Sequence, residues 1–246
     1  MFITGASAGI GAACARAFAR EGRELILAAR RLDRLEQLKN ELGSKVRVDV
    51  FGLDVTDRQA VIDLVQNQAE VFERTEVLLN NAGMALGREP LHAGNPEDWD
   101  RMLDLNVKGF LYVLHAVLPI LIRRGTGHVV NLSSAAGHYM YPNGNVYAAS
   151  KFAVKGLTEG LRMDLHGKSI RVTSISPGMV ETEFSVVRFG DEEKARAIYQ
   201  GFTPLDPEDV ADAVLWAVTR PPHVNIADIL MFPTAQSRID AVHRGP

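Results

Sequence analysis

Short apolar runs alternate along the chain with stretches of helical periodicity. The apolar runs are Phe2–Thr4, Glu24–Ala29, Lys45–Leu53, Glu76–Asn80, His128–Leu132, Arg171–Ile175 and Ile226–Phe232. Most carry apolar side chains at both odd and even positions, the pattern of a parallel strand covered on both faces. Between them, Leu32, Leu35, Leu38 and Leu42 fall on one helical stripe, as do Val61, Leu64, Val65 and Phe72. Asn95-Pro96-Glu97-Asp98 and Asp206-Pro207-Glu208-Asp209 mark helix starts: an N-cap side chain, proline at the first helical position, then acids that suit the positive end of the dipole. Gly22 and Gly43 suit helix ends. Such alternation predicts right-handed crossovers and an α/β fold: a doubly wound parallel sheet of about seven strands with helices on both faces.

No repeat, linker or low-complexity segment interrupts the pattern, so residues 1–246 read as one domain. Within it, a loop at 177–206 and a tail at 233–246 stand apart. Pro177 to Pro204 shows no regular pattern, and a stretch of that length inside a compact domain is expected to be a lid or binding loop.

Composition narrows the class. The 246 residues are near the globular average, which excludes a disordered or collagenous chain. A net charge of −3 argues against nucleic acid as a partner, since binding it requires clustered basic residues. The longest apolar run, Phe110 to Ile122, is 13 residues long and carries His115 and Pro119, so no membrane partner is expected. The N-terminus has no basic n-region and no cleavage pattern. The single cysteine, Cys14, cannot form an internal disulfide; it sits among alanines and is expected to pack on the sheet without a redox role. A cytoplasmic protein with a small-molecule ligand is the expectation.

Thr4-Gly5-Ala6-Ser7-Ala8-Gly9-Ile10-Gly11 follows the first strand and opens a helix. Its glycines permit a tight turn and close backbone approach, and free amides at the helix start face an anion, so the loop reads as a phosphate site. At the end of the second strand stand Arg30 and Arg31, with no acid until Asp33. In dinucleotide folds an acid about 20 residues beyond the glycines holds the ribose hydroxyl of NAD, whereas an arginine there suits the 2′-phosphate of NADP. NADP is the expected cofactor. Asn80-Asn81-Ala82-Gly83 closes the fourth strand and can line the crevice at the strand ends, although turn chemistry alone also explains it.

Ser134 follows the fifth strand, and Tyr147 and Lys151 lie four residues apart, on one face of a helix. An ammonium beside a phenol favours the phenolate, and a tyrosine so tuned can exchange a proton with an alcohol or carbonyl oxygen held by a serine hydroxyl. Taken alone, the Tyr147–Lys151 spacing is also a common helix-face pair. His92, His115 and His128 are scattered and His138 is expected to be solvated, so no metal is predicted.

With these motifs in one order, the chain resembles the short-chain dehydrogenase/reductase family over nearly its whole length. Thr4–Gly11, Asn81-Ala82-Gly83, Asn106, Ser134, Tyr147, Lys151 and Pro177-Gly178 carry the likeness, and Ser134 lies 13 residues before Tyr147, the spacing usual in that family. The resemblance implies a Rossmann-type fold. It implies Tyr147 as general acid/base, Lys151 lowering its pKa and binding the nicotinamide ribose, Ser134 orienting the substrate oxygen, and Asn106 supporting a water in a proton relay. Cofactor contacts are implied for Gly5, Ser7, Gly9, Ile10 and Gly11, for Arg30 and Arg31, for Asp54 and Val55 at the adenine, and for Asn81, Ala82 and Gly83. Pro177, Gly178, Val180 and Thr182 are implied around the nicotinamide and its phosphates. Only three residues precede Thr4, where family members have a longer first strand.

Residues 177–189, 231–237 and 143–145 are similar to those of the family's NADP-dependent 3-hydroxy acid dehydrogenases, a typically tetrameric group that oxidises serine, allo-threonine and related short acids. That implies an NADP-dependent oxidoreductase interconverting 3-hydroxyl and 3-oxo groups, assembled as a homotetramer. An acidic substrate needs a cation, and Arg188 is the first candidate for its carboxylate, a solvated loop arginine being the alternative, with Tyr141 and Met140 expected to line the pocket. The alternatives are a reductase for an uncharged ketone or aldehyde and a non-catalytic NADP-binding regulator. Intact Ser134, Tyr147 and Lys151 weigh against the regulator.

Overall fold

A computed structural model of the chain describes residues 1–245. The elements are β1 (Phe2–Thr4), α1 (Gly9–Arg20), β2 (Leu25–Ala29), α2 (Leu32–Leu42), β3 (Val48–Gly52), α3 (Arg58–Asn67), α4 (Ala69–Phe72) and β4 (Val77–Asn80). Then come α5 (Pro96–Leu103), a π turn (Asp104–Gly109), α6 (Phe110–Arg124), β5 (Gly127–Leu132), α7 (Asn145–Asp164) and β6 (Ile170–Pro177). The last part holds α8 (Glu183–Phe189), α9 (Glu192–Ala197), α10 (Pro207–Val218), β7 (Asp228–Met231) and a small antiparallel pair, β8 (Gln236–Arg238) and β9 (Ala241–Val242). The seven-stranded parallel sheet runs β3-β2-β1-β4-β5-β6-β7, a doubly wound Rossmann-type order. Strand order reverses between β1 and β4, and in open α/β sheets the crevice beyond the strand ends at that switch point is where ligands bind.

Each face of the sheet carries its own core. On one side Phe18 of α1, Leu35 and Leu38 of α2, and Val210 and Val214 of α10 pack on Ile3, Leu27 and Ile175. On the other, Phe72, Val113, Leu121 and Val154 pack on Phe2, Leu78 and Val129. This two-sided burial is why the strands are apolar throughout. Truncating a fully buried leucine such as Leu35 to alanine costs about 2–5 kcal/mol. The helix starts form as read: Asn95 accepts from the Glu97 amide at 3.2 Å, and Asp206 and Asp209 make a capping box. Gly22, just past α1, has φ +72°.

Four features differ from the sequence reading. The stripe from Val61 to Phe72 is broken at Gln68, and the separate turn of α4 carries Phe72 inward, edge-on to Phe2 at 5.0 Å between ring centroids. The stretch 177–206 is a folded lid, not an irregular loop: Thr182 caps α8, and Asp191 caps α9 by accepting from the amides of Glu193 and Lys194. His138 is not solvated; it contacts Asp228 at 2.9 Å and Ser176 at 3.1 Å, tying the segment after β5 to the edge strand β7. Finally, α5, the π turn and α6 run on as one helical rod, Pro96–Arg124, long and apolar enough by length and composition to cross a membrane. Half of its apolar window is buried in the protein, with Val113, Val117 and Leu121 on the sheet.

Candidate functional site

A cavity of ≈ 610 Å³ opens at the β1/β4 switch point and runs from the arginines after β2 to the lid and the C-terminal tail. The glycine loop forms its floor. Gly5 has φ +66°, and a side chain there would sit 2.9 Å from Asn81 Nδ2. Gly11 lies behind the wall, where a Cβ would meet the Gly5 carbonyl at 2.5 Å; its small size lets α1 close on the loop. Asn81 explains its place after β4: Nδ2 donates to the carbonyls of Thr4 (2.8 Å) and Gly5 (3.2 Å). In return the Thr4 hydroxyl accepts from the amides of Asn81 (3.0 Å) and Ala82 (3.1 Å). The first turn of α1 has neither a side-chain cap nor an acid, so its amides and the positive end of its dipole are left for an anion.

At the far end, Arg30 and Arg31 line the cavity as expected. Arg31 Nε donates to the Ser7 hydroxyl at 3.2 Å. Two residues the sequence reading passed over join them: Arg31 and Arg34 both donate to the carboxylate of Glu183 on the lid, at 2.8 and 2.6 Å. Arg34 sits one helical turn after the basic pair, a spacing that could have flagged it. Glu183 lies in the stretch read as irregular, where no periodicity points to a face. Asp54 and Val55 line the wall beyond β3, with Asp54 accepting from the Thr56 amide and hydroxyl. Gly9 backs onto Thr182, whose side chain would be 3.3 Å from a Cβ there.

Ser134, Tyr147, Lys151, Tyr141 and Arg188 meet in the same cavity. Ser134 is placed by the chain leaving β5, and its hydroxyl accepts from the Ala136 amide at 3.1 Å. Tyr147 and Lys151 share the buried face of α7. Lys151 does not pair directly with the phenol: Nζ donates to the Leu132 carbonyl at 3.0 Å and lies 6.0 Å from the Tyr147 ring centre. Burial pushes the Tyr147 phenol up to about 12, against a hydrogen bond with Ser134 and the charge of Arg188, which lower it, while Tyr141 adds to the rise. Burial also brings Lys151 down to about 8. The lowered phenol expected from spacing alone is therefore not found, because desolvation outweighs every neighbouring charge.

Asn106 sits in the π turn, a distortion common at functional sites. Its side-chain amide is fully used: Oδ1 accepts from the Met84 amide at 2.9 Å, and Nδ2 donates to the Met84 carbonyl (2.8 Å) and Ser150 Oγ (3.0 Å). Arg188 reaches inward from α8. Nε donates to the Gly87 carbonyl at 3.1 Å, Nη2 donates to the Tyr141 hydroxyl at 2.9 Å, and its guanidinium lies 5.5 Å from the Tyr147 ring centre. Phe184, another residue missed in the sequence, meets the Tyr147 ring edge-on at 5.7 Å. Pro177, Gly178, Val180 and Thr182 line the cavity between β6 and α8, where Gln236 of the tail accepts from the Met179 amide at 2.9 Å. Among the described residues, no group of three or more His, Cys, Asp or Glu side chains is placed to hold a metal.

The family model for short chain dehydrogenases matches residues 1–193. The chain belongs to the short-chain dehydrogenase family. Among its relatives, the dehydrogenase is 46% identical to the NADP-dependent 3-hydroxy acid dehydrogenase YdfG of Salmonella typhi, covering 99% of both chains. It is equally 46% identical to sulfoacetaldehyde reductase 2 of Chromohalobacter salexigens, over 96% of this chain and 95% of the relative. The closed form of a serine dehydrogenase complexed with NADP+ superposes with a TM-score of 0.92 at 45% identity, over 99% of this chain and 98% of that one.

Proposed function

We propose that this dehydrogenase is an NADP-dependent oxidoreductase that interconverts the 3-hydroxyl and 3-oxo groups of short 3-hydroxy acids such as serine, allo-threonine and 3-hydroxyisobutyrate. The observation that carries the substrate class is Arg188: a guanidinium in the cavity wall, 5.5 Å from the Tyr147 ring, where an acid's carboxylate would lie with its hydroxyl on the tyrosine. The naming of a 46% identical relative for 3-hydroxy acids supports it. A second anion, the sulfonate of a short aldehyde, has equal support in another 46% relative.

The residues fit a 2′-phosphorylated dinucleotide. The uncapped start of α1 and the glycine loop suit the pyrophosphate, the Ser7–Arg30–Arg31 corner suits the 2′-phosphate, and Lys151 suits the nicotinamide ribose. NADP supplies the hydride acceptor when bound. Tyr147 accepts the proton of the substrate hydroxyl, and Ser134 holds the oxygen. The ammonium of Lys151, close behind the ring, favours the phenolate as substrate and cofactor exclude water. Asn106 supports a water in the proton relay, its side-chain amide pinned to Met84 and to Ser150 of α7. The lid residues Phe184 and Arg188 close over the ring, while Tyr141 orients the guanidinium.

The same reading makes the protein a cytoplasmic homotetramer. Leu103, Leu111 and Phe152 on the rod and on α7 are exposed apolar side chains suited to a protein contact. The test is oxidation of serine, allo-threonine, 3-hydroxyisobutyrate and 3-hydroxypropionate with NADP+, beside isethionate and an uncharged alcohol. Turnover confined to the uncharged alcohol overturns the assignment.

A further inference from the structure

The corner suited to the 2′-phosphate contains a negative charge of its own. Glu183, the first residue of α8, places one carboxylate oxygen 2.8 Å from Arg31 and the other 2.6 Å from Arg34. The pair spans the cavity mouth, from the lid to the start of α2. Arg31 is also the side chain bound to Ser7, so the carboxylate engages the same guanidinium that a phosphate at Ser7 would use. All three charged side chains are partly exposed, and hydrogen bonds from Arg31 and Arg34 hold the Glu183 carboxyl below the usual range.

A phosphate monoester carries about −1.5 to −2 charges near neutral pH. It can take Arg31 only by displacing the carboxylate or by sitting beside it against like-charge repulsion, and both oppose binding. An unphosphorylated ribose brings no such charge. With NAD in the cavity, Glu183 keeps Arg31 and Arg34 paired.

We propose that Glu183 is a cofactor-specificity residue: its carboxylate, held by Arg31 and Arg34, competes with the 2′-phosphate for Arg31 and so tempers the preference for NADP. This rests on the reading of Arg31 as the phosphate ligand. Any clasping effect of the lid acts on both cofactors alike, so the ratio of affinities isolates the charge competition.

The experiment is calorimetric titration of the full-length protein with 2′,5′-ADP and with 5′-ADP, for the parent, Glu183→Gln and Arg31→Ala. Glu183→Gln is expected to raise the preference for 2′,5′-ADP by about three- to tenfold, the scale of two exposed ion pairs, with the gain shrinking in high salt. Arg31→Ala is expected to collapse the preference. A Glu183→Gln preference that is unchanged or lower, with Arg31→Ala collapsed, overturns the inference alone. An Arg31→Ala protein that keeps the parental preference overturns the phosphate assignment and the inference with it.

Discussion

Replacing Arg188 with methionine separates recognition of an acid from the rest of the site. The side chain makes two hydrogen bonds that hold its fork in place, to Gly87 and Tyr141, and its guanidinium stands within 5.8 Å of the Tyr147, Tyr141 and Phe189 ring centres. Methionine keeps a long apolar stem against those rings but has no charge and no donors. Hydrogen bonds to a charged group contribute about 1.5–3 kcal/mol. At about 1.4 kcal/mol per decade, Arg188→Met should lower kcat/KM for 3-hydroxypropionate roughly 10- to 150-fold. Arg188→Lys should recover only part, since an ammonium restores charge without the planar fork. Loss of the Arg188 cation also removes one of the influences that lower the Tyr147 phenol. The ascending limb of the pH profile for oxidation should therefore move to higher pH in the methionine variant and stay in place in the lysine variant. The assay is initial-rate NADPH absorbance across pH, run in parallel with an uncharged three-carbon alcohol. Equal losses on the acid and the uncharged alcohol would refute the reasoning, because they would mean that Arg188 only shapes the lid.

Three further expectations follow from the same geometry. Tyr147→Phe should lower turnover by about 10²–10⁴-fold, the scale of general acid–base catalysis, while cofactor binding measured by fluorescence is retained; substantial residual turnover would remove Tyr147 from the chemistry. Lys151→Met removes a buried ammonium brought down to about 8 from 10.5, a cost on the order of 3 kcal/mol. The unfolded chain holds more protons than the folded one between those values, so the penalty is complete below pH 8 and is relieved as pH rises through the window. The variant should therefore melt above the parent at neutral pH, with the gap closing toward alkaline pH in calorimetry. Gly11→Ala would put a methyl 2.5 Å from the Gly5 carbonyl, so it should destabilise by about 1–3 kcal/mol and weaken cofactor binding, read by melting with and without NADP+.

Much of the fold was legible because burial on two faces leaves a periodic record. The apolar runs coincide with the seven strands to within a few residues, and the capping signals at Asn95 and Asp206 mark real helix starts. The glycine loop, the arginine pair and the Ser134–Tyr147–Lys151 spacing could be read because each is local, set by a strand end or by one helix face. The lid was not legible: α8 and α9 are short, partly exposed and stabilised by caps and by contacts with the tail, so they carry no apolar stripe. His138 read as a loop residue because its partners, Ser176 and Asp228, are 38 and 90 positions away in sequence.

By itself the sequence determined the two-sided sheet, the glycine-rich turn after β1 and the identities of the groups able to exchange a proton, since these follow from periodicity, backbone freedom and side-chain chemistry within short segments. Tertiary structure decided what those groups do at rest. Packing buries Tyr147 and Lys151 together, so desolvation, a property of everything around them, moves the phenol up and the ammonium down. Chain crossings bring Arg188, Tyr141 and Gly87 to one point and set Glu183 between Arg31 and Arg34, juxtapositions across 101 and 152 positions of sequence that no local pattern encodes.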